Sequence, residues 1–234
     1  MGLVARFESF IRTMRGFEDI DALLGASDSG GKKHADYLVG SRTVIIEQKA
    51  LIADPAEKPQ KFMDNLSAQG RIFVYGKTST DAIFRGLPDG PDLKSKMFLA
   101  MTKGLEDGIA YADKQTRDTR ESFDIPRATG VVVLLNESAL SLRPELILYG
   151  LHHVFNRKYK DGSFRYRNND GVILISGAHP MSGLMGCGMP CFSAVSPQPR
   201  SEAVFWEFSN ELLDAWAAFN GVPRVRYTIE TRSG

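Results

Sequence analysis

The order of apolar and amphipathic segments predicts an α/β (α+β) fold, a mixed central sheet with helices on its faces. Three observations carry the prediction. Residues Thr129 to Asn136 and Gly171 to Gly177 are short runs apolar almost throughout, as strands buried on both faces are. Residues Lys33 to Ala50 read as a hairpin, with Gly40-Ser41 at the turn and the β-branched run Thr43 to Ile46 opening its second strand. Long segments with apolar residues at helical spacing separate these strands and follow them.

In chain order, Phe7, Phe10, Ile11, Met14, Phe17, Ile20, Leu23 and Leu24 predict an amphipathic helix over 7–24, interrupted at Gly16. The hairpin follows. Residues 51–95 hold Pro55, Pro59, Pro88 and Pro91, which predicts irregular chain with a strand at Arg71 to Gly76, an insertion or lid on a single domain spanning 1–234. A long helix is predicted over 95–123, with Met97, Phe98, Met101, Leu105, Ile109 and Ala112 on one face. After the strand at 129–136, Pro144 opens a helix reaching Phe155. Its adjacent His152 and His153 point about 100° apart, so they are not a paired metal site. Glu202 to Phe219 is a last amphipathic helix, and Val225 to Thr231 alternates as an edge strand.

The hairpin carries polar residues where a strand is expected to stay apolar. Glu47 and Lys49 are two positions apart and share one face of the pleat, and Asp36 precedes Glu47 by eleven residues. Two carboxylates and an amine gathered near a strand end suit a hard divalent cation and a water beside a phosphate. Asp36, Glu47 and the Gln48 carbonyl offer oxygens to Mg2+, with Mn2+ as a substitute, and Lys49 offers a cation to the phosphoryl oxygens. The competing reading is an exposed edge hairpin whose ion pair contributes roughly 0–1 kcal/mol and has no role in function. The apolar run Val44-Ile45-Ile46 weighs against it, since a strand covered on both faces is not an exposed edge.

With Asp36 leading into one strand and Glu47-Gln48-Lys49 on the next, the hairpin resembles the PD-(D/E)XK nuclease superfamily, with Ala35 standing where the family name writes Pro. The resemblance covers residues 17 to 50 and, more loosely, 95 to 136. It implies a restriction-endonuclease-like fold and a Mg2+-dependent nuclease acting on DNA, with Asp36 and Glu47 as metal ligands beside Gln48 and Lys49 facing the phosphate. It also implies an acid from a preceding helix, for which Glu18 is the first choice and Glu8 the second. A polar residue is implied on the helix after the core strands, where Gln115 is the match and Lys114 the alternative. A homodimer is compatible with the family. A catalytically inactive nucleic-acid-binding or protein-interaction module on the same fold stays open as the second reading.

Charge and composition bound the partners. A net charge of +1 with 43% hydrophobic residues is ordinary and requires no nucleic acid, so binding would need a local basic patch. Residues 157–167 supply one, with Lys158, Lys160, Arg165 and Arg167 interleaved with Tyr159, Phe164 and Tyr166 around an Asp161-Gly162 turn. Such a ribbon suits a phosphate backbone; a solvated surface hairpin is the alternative. No stretch reaches the roughly 18 apolar residues of a membrane span, and two cysteines, Cys187 and Cys191, make no disulfide framework. A cytoplasmic location and no membrane partner are expected. His179 with those cysteines lacks the spacing and fourth ligand of a zinc site.

Overall fold

The computed structural model of the chain describes residues 1–25, 32–76, 78–183 and 186–225. The strands are β1 (Glu18–Asp19), β2 (Tyr37–Val39), β3 (Val44–Ala50), β4 (Thr129–Asn136), β5 (Gly171–Ser176), β6 (Met181–Gly183), β7 (Gly186–Gly188) and β8 (Cys191–Val195). The helices are α1 (Leu3–Ile11), α2 (Ile20–Leu24), α3 (Glu57–Ala68), α4 (Thr80–Arg85), α5 (Gly90–Met101), α6 (Lys103–Ser122), α7 (Pro144–Phe155) and α8 (Glu202–Phe219). Six strands form one mixed sheet in the order β1-β2-β3-β4-β5-β8, while β6 and β7 pair with each other. Strands β3, β4 and β5 run parallel, and β2 and β8 flank them antiparallel.

Helices on both faces explain why β4 and β5 are apolar without alternation. On one face Phe7, Phe10, Phe205 and Trp216 of α1 and α8 pack on Val131, Val133 and Ile173. On the other, Ile109 and Ala112 of α6 and Ile147 and Leu151 of α7 pack on Val132, Leu134 and Leu174. A side chain at Gly171 would meet the Phe205 ring at 2.2 Å, so glycine there lets α8 lie close on the sheet.

A buried ion pair ties α6 to the start of the parallel strands. Arg120 Nη2 donates to Asp170 Oδ2 at 2.9 Å, its Nε to the Ala128 carbonyl at 2.9 Å, and the Gly130 N–H to the same Asp170 oxygen at 2.6 Å. Removing one partner of such a pair leaves an uncompensated buried charge. Asp170→Ala is therefore expected to lower unfolding free energy by roughly 3–5 kcal/mol, read as the shift of a urea midpoint at unchanged slope.

Several sequence expectations are corrected. The helix predicted over 7–24 ends at Ile11 and resumes only as α2 at Ile20; between them the chain turns at Gly16 in the left-handed region and Arg15 offers its carbonyl to the Gly40 N–H. Glu18 thus lies on a short edge strand and not on a helix. Residues 51–95 hold α3, α4 and the start of α5, with Leu66, Phe84, Leu93 and Met97 as their own small core. Their prolines do not break helices, since Pro59 and Pro91 stand in the first turns of α3 and α5, where no intrahelical N–H is needed. The strand expected at Arg71 to Gly76 is absent, and Phe73 and Tyr75 are 91% and 94% exposed. The single helix over 95–123 is broken at Thr102 into α5 and α6. The sheet gains β8 at Cys191–Val195, for which no strand was expected, while most of the predicted strand at Val225 to Thr231 lies outside the described residues. No helix among the described residues is long and apolar enough to cross a membrane.

Candidate active site

The hairpin register brings the two acids together. Tyr37 pairs with Ile46, so one step outward sets Asp36 opposite Glu47, where facing side chains of an antiparallel pair stand about 5 Å apart at Cβ. Gly40, Ser41 and Arg42 all take positive φ at the turn, closing the hairpin so that the eleven-residue spacing becomes this juxtaposition. Just beyond the end of β2, Asp36 Oδ2 accepts the Gln48 N–H at 2.6 Å. The N–H and carbonyl of one strand residue project to the same side, so the Gln48 carbonyl faces Asp36 as well.

Lys49 lies on the face of Glu47 and donates both to Glu47 Oε1 and, at 3.0 Å, to Gln115 Oε1 from α6. Gln115 Nε2 in turn donates to the His34 carbonyl at 2.8 Å. The structure therefore unites Asp36, Glu47, Gln48, Lys49 and Gln115 between the sheet and α6. Lys114, beside Gln115, is exposed.

The electrostatics of this group favour a cation. Glu47 is 1% exposed and its Oε2 has no hydrogen-bond partner among the described residues. Burial, reinforced by the Asp36 carboxylate, pushes the Glu47 carboxyl up to about 8, although Lys49 and Gln115 pull the other way. Burial raises Asp36 too, partly offset by the Gln48 N–H. Two crowded carboxyls, one of them with its buried Oε2 unpartnered, and a backbone carbonyl are hard oxygen donors of the kind Mg2+ takes together with its own waters. Among the described residues no three His, Cys, Asp or Glu side chains form a ready cage, so the fit rests on two carboxylates and backbone oxygen.

Other predicted residues lie elsewhere. Glu18 is held by Arg42 at 2.6 Å, which keeps its carboxyl below the usual range. That contact is at the hairpin turn, and three strand residues, roughly 10 Å, separate the turn from Glu47. Glu8 is exposed on α1 and acts electrostatically on Tyr37. The acids of this segment whose charge reaches Asp36 are Asp21 and Asp19, which the sequence reading did not single out.

The basic hairpin forms with a single bridge, Lys158 to Phe164, around Gly162 at positive φ. Its stem is tied to α6 by Arg157 and Glu106 at 2.6 Å, nine residues or about 14 Å along the helix from Gln115. Lys158 sits over Phe164 at 4.6 Å and Arg165 over Tyr159 at 5.4 Å, so each of these cations lies over a ring of the same hairpin. Among the described residues no hydrogen bond or ion pair joins Lys158, Lys160, Arg165 or Arg167 to the two carboxylates.

Two contributors escaped the sequence reading. Thr119 accepts the Ala35 N–H at 2.8 Å, and His34 Nε2 is hydrogen-bonded to Ser122 Oγ at 2.9 Å. The available signal was the polar series Gln115, Thr119, Ser122, spaced to share one face of α6. Compared with family models, curated proteins and solved structures, the chain matches none, so its likeness to the PD-(D/E)XK nucleases rests on these residues and their arrangement.

Proposed function

We propose that this chain is a Mg2+-dependent nuclease with a restriction-endonuclease-like fold, hydrolysing phosphodiester bonds in DNA. The observation that carries the reading is Asp36 opposite Glu47 with Lys49 on the same face and Glu47 Oε2 unpartnered. The sheet order supports it, since an antiparallel hairpin feeding a parallel pair sets the acids on a strand backed by α6.

Asp36, Glu47 and the Gln48 carbonyl would hold the cation. When bound it supplies Lewis acidity to a phosphoryl oxygen and lowers the pKa of a water. The chain's own residues do the rest. Lys49 sets a positive charge beside the carboxylates, where charge grows on phosphoryl oxygens in the transition state. Gln115 holds the Lys49 ammonium from the helix side and so fixes its direction. The basic hairpin, which precedes β5 in the chain, is the proposed contact to the DNA backbone beyond the cleaved bond, through Lys158, Lys160, Arg165 and Arg167.

The test is a Mg2+ and Mn2+ titration of the purified protein beside Asp36→Ala, followed by incubation with plasmid and single-stranded DNA, with EDTA as control. Metal binding and cleavage by the wild type, both lost in the variant, are expected. Metal-independent cleavage would overturn the assignment of a cation to Asp36 and Glu47, and DNA retention without metal binding or cleavage would replace the enzyme by the inactive binding module.

A further inference from the structure

The segment 32–36, which delivers Asp36, has no strand or helix of its own. What holds it is α6. Gln115 Nε2 reaches the His34 carbonyl, Thr119 Oγ1 accepts the Ala35 N–H, Ser122 Oγ bonds the His34 ring, and Glu121 pairs with Lys32 at 3.2 Å. Gln115, Thr119 and Ser122 stand at i, i+4 and i+7, one stripe of the helix surface. Thr119 is 0% exposed, and its hydroxyl meets a backbone N–H that is itself buried. The contact falls one peptide before Asp36.

We propose that this stripe, with Thr119 at its centre, is the positioning element for Asp36: it sets where the carboxylate stands relative to Glu47 before any cation arrives. The inference rests on the nuclease reading and assigns Thr119 a role that touches neither substrate nor cation. The backbone of Asp36 is fixed on two further sides, its N–H donating to the Ile46 carbonyl at 3.1 Å and its carbonyl accepting the Ile20 N–H at 3.1 Å. Those bonds set the depth of Asp36 along the hairpin. The Thr119 contact sets the approach of the chain from the α6 side, which no sheet bond controls.

The experiment compares wild type, Thr119→Val and Thr119→Ser by Mn2+ titration calorimetry, circular dichroism and DNA cleavage over a range of Mn2+ concentrations. Thr119→Val keeps the shape and removes the acceptor. It is expected to keep the wild-type spectrum while weakening Mn2+ binding by roughly 10–100-fold, as loss of groups that orient ligands does. Excess Mn2+ is expected to recover cleavage, and Thr119→Ser to restore wild-type affinity. A role confined to stability would lower the melting temperature and leave Mn2+ affinity unchanged; that result overturns the proposal. Should Thr119→Val not fold, Gln115→Leu, at a half-buried position, carries the same reading, and wild-type Mn2+ affinity in it overturns the proposal equally. A wild type that binds no Mn2+ overturns the nuclease reading and this assignment together, which separates the two failures.

Discussion

Glu47→Gln is expected to abolish cleavage and, at the same time, to make the metal-free protein more stable at and above neutral pH. The sign follows from the carboxyl's upward shift from 4.5 to about 8. Between those values the folded chain keeps a proton on Glu47 that the unfolded chain releases. The stabilising contribution is complete below the unfolded pKa and is lost as pH rises through 8, so wild-type stability without metal falls across that window. Glutamine carries no charge at any pH and removes the loss. At about 1.4 kcal/mol per pKa unit the gain at pH 8 is bounded at a few kcal/mol, and Lys49 beside the carboxylate reduces it. Asp36, shifted in the same direction, adds to the wild-type trend. Mg2+ is expected to reverse the fall in the wild type, by about 2.7 kcal/mol at a hundred times its Kd, and to do little for the variant. Thermal melts at pH 5, 6.5 and 8, with EDTA or Mg2+, check each arm. A variant no more stable than wild type at pH 8 without metal would mean that Glu47 is not strained by burial.

Lys49→Met is expected to separate chemistry from metal binding in the opposite sense. Losing a cation aimed at developing charge costs roughly 10²–10³ in kcat. Metal affinity is expected to stay level or rise, because the ammonium competes with a divalent cation for the same carboxylates. Breaking a buried pair ordinarily destabilises by roughly 3–5 kcal/mol, yet here the loss is capped, since below about pH 8 Glu47 already holds a proton and is left with no bare charge. Single-turnover cleavage at saturating Mn2+ together with a Mn2+ titration decides it. Cleavage at the wild-type rate would reduce Lys49 to a structural counter-ion.

The reach of the sequence differs among the residues of this site for physical reasons. Asp36, Glu47 and Lys49 were legible because one local element assembles them: the hairpin turn sets the register, and the two-residue pleat period sets the face. Gln115 was found through family resemblance, and its pairing with Lys49 needed α6 laid across β3. Glu18 was misassigned because the apolar spacing around it continues in helical period past Gly16. The helix has already stopped at Ile11, the chain turns through Gly16 at φ +67°, and the Glu18 side chain pairs with Arg42 at the hairpin turn. Residues 51–95 looked irregular because proline was read as a breaker, whereas its cost vanishes in a first turn.

By itself the sequence determined what is local or periodic: a mixed α/β sheet with apolar central strands, amphipathic helices to cover it, and a hairpin carrying two acids, with Glu47 and Lys49 on one face. Only the tertiary structure decided what depends on contacts across many residues. Thr119 meets Ala35 across 84 positions, and Arg120 meets Asp170 across 50. Neither pairing leaves a periodic trace, because a side chain's partner on another element is chosen by how whole elements pack, and that choice belongs to the assembled core.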